Sequence, residues 1–431
     1  MTINKIHTSL KRFIKFFGPG LITGAADDDP SGIATYSQTG AQFGYGQLWT
    51  ALFMLPFLIA VQEACARIGA VHGKGLVAVI KKYYSKKIVY IVCSLVLIAN
   101  TINIGADIGA MASAAQLLVP IPFVILCLLF TCVILVLEIF TSYKVYSRIL
   151  KWLALTLLSY PITIFLIHQP WIDILRATIL PHVEWNFAFL FIITGVLGTT
   201  ISPYMFFWQA SEEVEEEKEM GIKTLDGKPL VSKSFMNHLR ADTTIGMIIS
   251  EFATWSIIVV TATVLHQNGV TDIKTSADAA RALEPLVKTF PNAGLLAKML
   301  FSFGIIGLGL LSVPVLSGSA SYAVSEAFNW KEGLNLKLKR AHGFYGVITV
   351  ATLIGLLINF IGIDPVKALI YASVLNGVIA VPLLFLIAKT AQSAHIMGTY
   401  KSSTLSKIGV WSTFLFMGIA ALGMLSMVKQ W

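Results

Sequence analysis

Apolar and polar positions alternate along this chain in long blocks rather than residue by residue. Eleven apolar stretches fall near residues 15–43, 47–69, 88–118, 121–141, 149–168, 187–210, 242–266, 294–327, 342–362, 366–388 and 408–428. A bilayer crossing takes about 20 apolar residues, so the pattern predicts an all-α polytopic membrane protein with eleven spans. The first, third, sixth and eighth stretches are long or interrupted, and their ends are the least sharply marked. Two interruptions stand out: Asp29-Pro30-Ser31-Gly32 in the first stretch and, five spans later, Ser202-Pro203 in the sixth. Paired Pro/Gly breaks in corresponding positions of two five-span halves point to an inverted repeat of the LeuT type, 5+5. One transmembrane domain is therefore expected over 1–431. Repeat one lies at about 15–168, repeat two at about 187–388, and an additional helix at about 408–428 stands outside the repeat.

Composition agrees with the blocks: 56% of residues are hydrophobic and only 13% charged, against about 25% charged in soluble domains. Charge then orients the chain. With a cytoplasmic N-terminus, 25 of the 32 Lys and Arg fall on the inner side, a strong positive-inside bias. The expected topology is N-terminus in and C-terminus out, in the cell (inner) membrane, with the lipid bilayer as partner. The net charge of +9 is explained by that asymmetry and is no argument for nucleic acid. No cleavable signal peptide is evident. Cys65, Cys93, Cys127 and Cys132 lie inside spans at no metal-ligand spacing and read as small buried apolar residues. The acidic run EEVEEEKEM within the inner loop 211–241 reads as a solvated helical extension. The outer segment 267–290 reads as a short amphipathic surface helix.

The chemistry concentrates at Asp27, Asp28 and Asp29. A carboxylate at the bilayer centre costs roughly 2.5–3.5 kcal/mol, so three ionised and lipid-exposed would cost on the order of 8–10 kcal/mol. A cation bound at the broken backbone of Pro30 and Gly32 would offset that cost. On the third stretch Asn100, Asn103 and Asp107 share one helical face at i, i+3, i+7. That face either lines an ion path or makes hydrogen bonds that serve packing. No catalytic constellation is present among the eight histidines, and an enzyme is not expected.

Several separated segments carry a family likeness. GPGLITGAADDDPSGIAT, QEACARIGAVHGKGL, GLGLLSVPVLSGSASYAVSEAF, GIDPVKALIYASVLNGVIAVPLLFLI and HIMGTYKSS, in that order, resemble the first, second, eighth and tenth helices and the last inner loop of the Nramp divalent-metal transporters. The departures are informative. Where that family has Asp-Pro-Gly-Asn, this chain has Asp29-Pro30-Ser31-Gly32, and where it has Met-Pro-His, this chain has Ser202-Pro203-Tyr204. The acidic residue of the family's third-helix proton pathway falls near Ala106, beside Asp107. These changes resemble the Nramp-related branch that carries magnesium.

The resemblance implies Asp29, the Thr199 carbonyl and, on the tenth span, Ser373 as ligands, and the residues themselves add Asp28, Ser202 and Asn376 as candidates. The residues themselves place Asp27, Asn103, Asp107 and Tyr204 as candidates along the ion path. Alternatives stay open at each. Asp29 also suits the N-cap of the helix after Pro30. Only one of Asp27 and Asp28 can enter the site, and one of them is either a cavity charge or protonated. Ser202 suits packing equally well, and Tyr204 beside a break is more often a core aromatic. Glu63, Glu138 and Glu251 match no motif and read as interior salt bridges or caps.

An all-oxygen site favours Mg²⁺ and Mn²⁺ over softer metals. The expected function is alternating-access import of divalent cations as substrate, weakly or not proton-coupled. The protein is expected to be a monomer with no cofactor. The rivals are a standard proton-coupled Mn²⁺/Fe²⁺ symporter, a non-transporting metal-sensing membrane protein, and an amino-acid/sodium symporter on the same fold. The last is disfavoured because the aspartates would repel a substrate carboxylate.

Overall fold

The computed structural model describes residues 19–141, 158–225, 228–288 and 291–427. Among the described residues the only strand pairing is the short antiparallel one between Thr224–Leu225 and Lys228–Pro229. The remainder is helical. The main helices are α1 (Pro19–Asp27), α2 (Pro30–Phe43), α3 (Trp49–His72), α4 (Leu76–Tyr83) and α5 (Lys86–Gln116). Then come α6 (Phe123–Phe140), α7 (Ser159–Leu166), α8 (Trp171–Ile179), α9 (Phe187–Thr200) and α10 (Pro203–Glu219). They are followed by α11 (Lys233–Val264), α12 (Ala293–Phe328), α13 (His342–Ile358), α14 (Pro365–Gln392) and α15 (Thr404–Met427). Eight helical stretches among the described residues are long and apolar enough to cross a bilayer, with α9 and α10 counted as one. The expected span 149–168 lies mostly outside the described residues, and α7 is its visible end.

Both expected breaks are present, and each is only two residues long. The first is Asp28-Asp29 rather than the four-residue unit ending at Gly32, because Pro30 starts α2 instead of interrupting it. Proline lacks the N–H that would bond back into α1, and its fixed φ is already helical. Asp29 is extended (φ −66, ψ 172) and accepts the Gly32 N–H, a conventional N-cap. The second break is Ile201-Ser202, again with proline, Pro203, in the first helical turn that follows.

The broken helices are central because their neighbours come close enough to touch backbone. A Cβ on Gly198 of α9 would meet the Ser373 carbonyl oxygen of α14 at 2.1 Å, and one on Gly377 would meet the Thr194 oxygen at 2.4 Å. α1 lies as tightly on α11, where a Cβ on Gly24 would meet the Gly246 oxygen at 2.4 Å. Apolar side chains fill the rest in two large buried clusters. Large apolar residues of α6 such as Leu128, Leu129 and Val136 stay exposed, as a lipid-facing helix requires.

Three expectations change. The acidic run is not a solvated extension: α10 packs on α3 and α12, and Glu212, Glu213 and Glu217 are buried. Cys132 is exposed while Cys65, Cys93 and Cys127 are buried. The 267–290 segment is not one helix but a string of short turns, including Ser276–Ala280 with a Thr275–Asp278 capping box and Glu284–Val287. Its residues Ala279, Ala282 and Leu283 are buried against the bundle rather than lying on its surface.

Candidate metal centre

Asp29 stands at the first break with both carboxylate oxygens oriented. Ser31 Oγ donates to Oδ1 at 2.6 Å and the Gly32 N–H to the same oxygen at 2.8 Å. Asn103 Nδ2, from α5, donates to Oδ2 at 2.8 Å. The capping and ligand readings of Asp29 are compatible, since an oxygen that accepts one or two hydrogen bonds keeps lone-pair capacity for a cation.

The polar stripe on α5 faces the protein interior along its whole length. Asn100 Nδ2 donates to the Leu316 carbonyl at 2.9 Å, and Ser312 Oγ of α12 donates to Asp107 Oδ2 at 2.8 Å. Between them, Asn103 also accepts from Asn376 Nδ2 of α14 at 3.3 Å. Asn376, Asn103 and Asp29 thus form one hydrogen-bonded line across three helices. Ser373, one turn before Asn376, receives a hydrogen bond from Thr35 Oγ1 at 2.9 Å and donates towards the Ser31 carbonyl at 3.4 Å.

The two breaks touch through hydroxyls: Ser31 Oγ lies 3.3 Å from Thr199 Oγ1. Ser202, the counterpart of Asp29 in the second half, does not cap its helix. Its hydroxyl turns back and donates to the Gly198 and Thr199 carbonyls, each at 2.7 Å. One lone pair of the Thr199 carbonyl is thereby occupied and one is left. Tyr204 is fully buried; its hydroxyl donates to the Ala26 carbonyl at the end of α1 at 2.9 Å.

Asp27 and Asp28 engage a different helix. Ser250 Oγ of α11 donates to Asp27 Oδ2 at 2.6 Å, and Asp28 interacts electrostatically with Glu251. The structure therefore brings together Asp29, Asn103, Ser373, Asn376 and Thr199, with Ser202 directly behind Thr199. Asp107 and Tyr204 sit at the edge of this group, and Asp27 and Asp28 point to α11. Among the described residues no three His, Cys, Asp or Glu side chains converge as a metal cage, so the centre is one carboxylate among neutral oxygens and amides. Every one of these residues is 2% exposed or less, which makes the centre occluded.

Ser31, Thr35 and Ser312 were not anticipated as partners. Ser31 and Thr35 share a helical face at i, i+4, and that spacing beside a break was a usable signal; nothing local marks Ser312. Glu63 is an interior ion pair as expected, 3.0 Å from Arg67 and 2.9 Å from Arg240. Glu138 is buried and accepts from Ser317.

Comparison with known proteins agrees with this architecture. The chain is 28% identical over 360 residues to a protein named divalent metal cation transporter MntH from Mesorhizobium japonicum, covering 80% of this chain and 75% of that one. Its fold superposes on the manganese transporter of Eremococcus coleocola with a TM-score of 0.75 at 16% identity, covering 98% of this chain and 88% of that one. MhsT, solved with L-phenylalanine, superposes with a TM-score of 0.57 at 14% identity, covering 94% and 97%. The arrangement is the LeuT-type fold of an integral membrane protein. Residues 20–427 match the family described as natural resistance-associated macrophage protein-like, and the chain belongs to this Nramp family.

Proposed function

We propose that this protein imports divalent metal cations by alternating access, with Mg²⁺ and Mn²⁺ as preferred substrates and weak or no coupling to protons. The observation that carries this reading is the donor set at Asp29: one carboxylate, hydroxyls of Ser31, Thr199 and Ser373, and the amides of Asn103 and Asn376. No thioether or imidazole takes part in that hydrogen-bonded group. Hard oxygen donors suit magnesium and manganese, and magnesium is held through one or two carboxylates with retained waters. Asp29, the Thr199 carbonyl and the Asn376 side-chain oxygen are the direct ligands, with Ser202 and Ser373 around them and Asp28 turned away to α11. Asp27, Asn103, Asp107 and Tyr204 line the route.

In this reading the repeats are about 15–168 and 187–388, with α15 outside them. The chain is a monomer in the cell (inner) membrane, N-terminus cytoplasmic and C-terminus outside, as the Lys and Arg asymmetry supports. An inside-negative potential supplies about 2.3 kcal/mol per charge per 100 mV, roughly 4–5 kcal/mol for a divalent ion. That is enough to drive import without a proton.

The test is Mn²⁺ uptake into proteoliposomes with Mg²⁺ as competitor and a pH dye inside. Excess Mg²⁺ should suppress uptake, the lumen should not acidify, and Asp29→Ala should abolish transport. Uptake that ignores Mg²⁺ and acidifies the lumen would establish the proton-coupled manganese reading instead. Buried Asp107, hydrogen-bonded by Ser312 beside the centre, is the feature that favours that second reading.

A further inference from the structure

Two carboxylates of α1 and one of α11 are left over by the metal centre. Asp27 is 0% exposed, Asp28 2% and Glu251 4%. They meet where α1 and α11 run parallel in close register. A Cβ on Gly20 would touch the Thr243 backbone nitrogen at 2.5 Å, and one on Gly24 the Gly246 oxygen at 2.4 Å. One further turn along the same register brings Asp27 to Ser250 at 2.6 Å. Asp28 and Glu251 then interact across the interface, and Glu251 reaches Asp27 as well.

Hydrogen bonding there is incomplete. Asp27 Oδ1, Asp28 Oδ1 and both carboxylate oxygens of Glu251 are buried without a hydrogen-bond partner, while the Ser250 and Thr254 hydroxyls lie against Asp28. A buried polar atom without a partner is costly, and more so when it is charged. Four carboxylate oxygens left open in one place are a specific demand for something that binds oxygen.

The two helices themselves supply no counter-charge. No Lys, Arg or His occurs in 19–43 or in 241–265, and Arg240, just before the second of these, is committed to Glu63 at 2.9 Å. Burying anions without a partner is far more expensive than burying a pair. Ionised, the three carboxylates need a compensating charge from solution. Among the described residues no three such side chains form a closed metal cage, so an ion held among these carboxylates would reach some of their oxygens through its own water. That is the binding habit of Mg²⁺, which dehydrates reluctantly and keeps several waters beside one or two carboxylates.

We infer that Asp27, Asp28 and Glu251, with Ser250 and Thr254, form a second station for a partly hydrated divalent cation at the α1–α11 interface, on the cytoplasmic side of Asp29. The inference rests on the transport reading above and adds a member, Glu251, that no motif marks. Two adjacent stations lessen the difficulty of release: an ion leaving Asp29 passes to carboxylates that accept it still hydrated, so neither site has to bind weakly by itself.

The experiment is Mn²⁺ stoichiometry on the purified full-length protein, by equilibrium dialysis with electron paramagnetic resonance, together with anomalous diffraction from Mn²⁺-soaked crystals. Wild type should bind two Mn²⁺ per chain. Glu251→Gln, which keeps the shape and removes the charge, should bind one and lose uptake at least tenfold. Asp29→Ala should also bind one, but the other one. A single Mn²⁺ in wild type, or two in Glu251→Gln, would overturn the station and leave protons as the occupants of these carboxylates. Asp29→Ala that still binds two would instead sink the assignment of the main centre and leave the station standing. If Glu251→Gln does not fold, the wild-type anomalous map decides, since the station requires a peak beside Glu251.

Discussion

Asn103 Nδ2 donates to Asp29 Oδ2 at 2.8 Å across the space between α5 and the first helix break. Ser31 and Gly32 hold the other oxygen, so the carboxylate is oriented before any ion arrives. A hydrogen bond to a charged group contributes about 1.5–3 kcal/mol. Asn103→Leu should therefore weaken Mn²⁺ binding about 10–100-fold, read by calorimetry, while the purified protein keeps its elution profile. An unchanged affinity would show that the carboxylate does not depend on this amide.

Tyr204 ties the two broken helices together, since its hydroxyl donates to the Ala26 carbonyl at 2.9 Å while its own carbonyl accepts from Ser319 at 2.8 Å. Tyr204→Phe removes the first tie only and should cost about 0.5–1.5 kcal/mol of the occluded arrangement. Faster amide exchange at the end of α1, with little change elsewhere, is the expected result.

Gly198 is the tightest point of the α9–α14 contact, with 2.1 Å from a built Cβ to the Ser373 oxygen and 2.2 Å to the Gly377 nitrogen. Both obstructing atoms are backbone, so the helices must part. Gly198→Ala should destabilise by about 1–3 kcal/mol or more and disturb Ser373 with it. Gly294→Ala, where nothing lies within 4 Å, is the control and should melt like wild type.

Arg67 is 1% exposed and its charge is met by Glu63 at 3.0 Å. Glu63→Ala leaves a buried guanidinium with hydroxyls only, from Ser402 and Ser406, and should cost about 3–5 kcal/mol. Combining it with Arg67→Met should recover most of that loss in a thermal melt. A double variant as unstable as the single one would mean that the packing of Arg67, not its charge, is what matters.

Glu332 lies in the connection between α12 and α13, and burial, reinforced by Glu215, pushes its carboxyl up to about 7 against the partial opposition of Lys218 and Lys74. A folded-state value above the unfolded one favours the protonated form. The stability it contributes is full below the ordinary carboxylate range near 4.5 and is lost as pH rises through about 7. Glu332→Gln should therefore melt higher than wild type at pH 8 and equally at pH 4. The reverse order would mean that the ionised carboxylate is the stabilised form.

Block hydropathy was enough to place most of the long helices among the described residues, because a bilayer sets the length of an apolar run and that length is a local property. Pro30 and Pro203 marked both breaks, since a proline without its N–H must start a helix rather than continue one. Residue identity alone also singled out Asp29 as the carboxylate at the break and the α5 stripe as an interior face. Directions were another matter. Asp27 and Asp28 turn to Ser250 and Glu251, more than 220 residues away, and nothing near them in sequence could announce it. Ser202 matches Asp29 in position, yet its hydroxyl bends back onto Thr199. The acidic run of α10 looked solvated until α3 and α12 closed over it. At a helix break the backbone leaves its regular angles, so where a side chain points is decided by whichever distant helix packs there, and that exists only once the bundle has assembled.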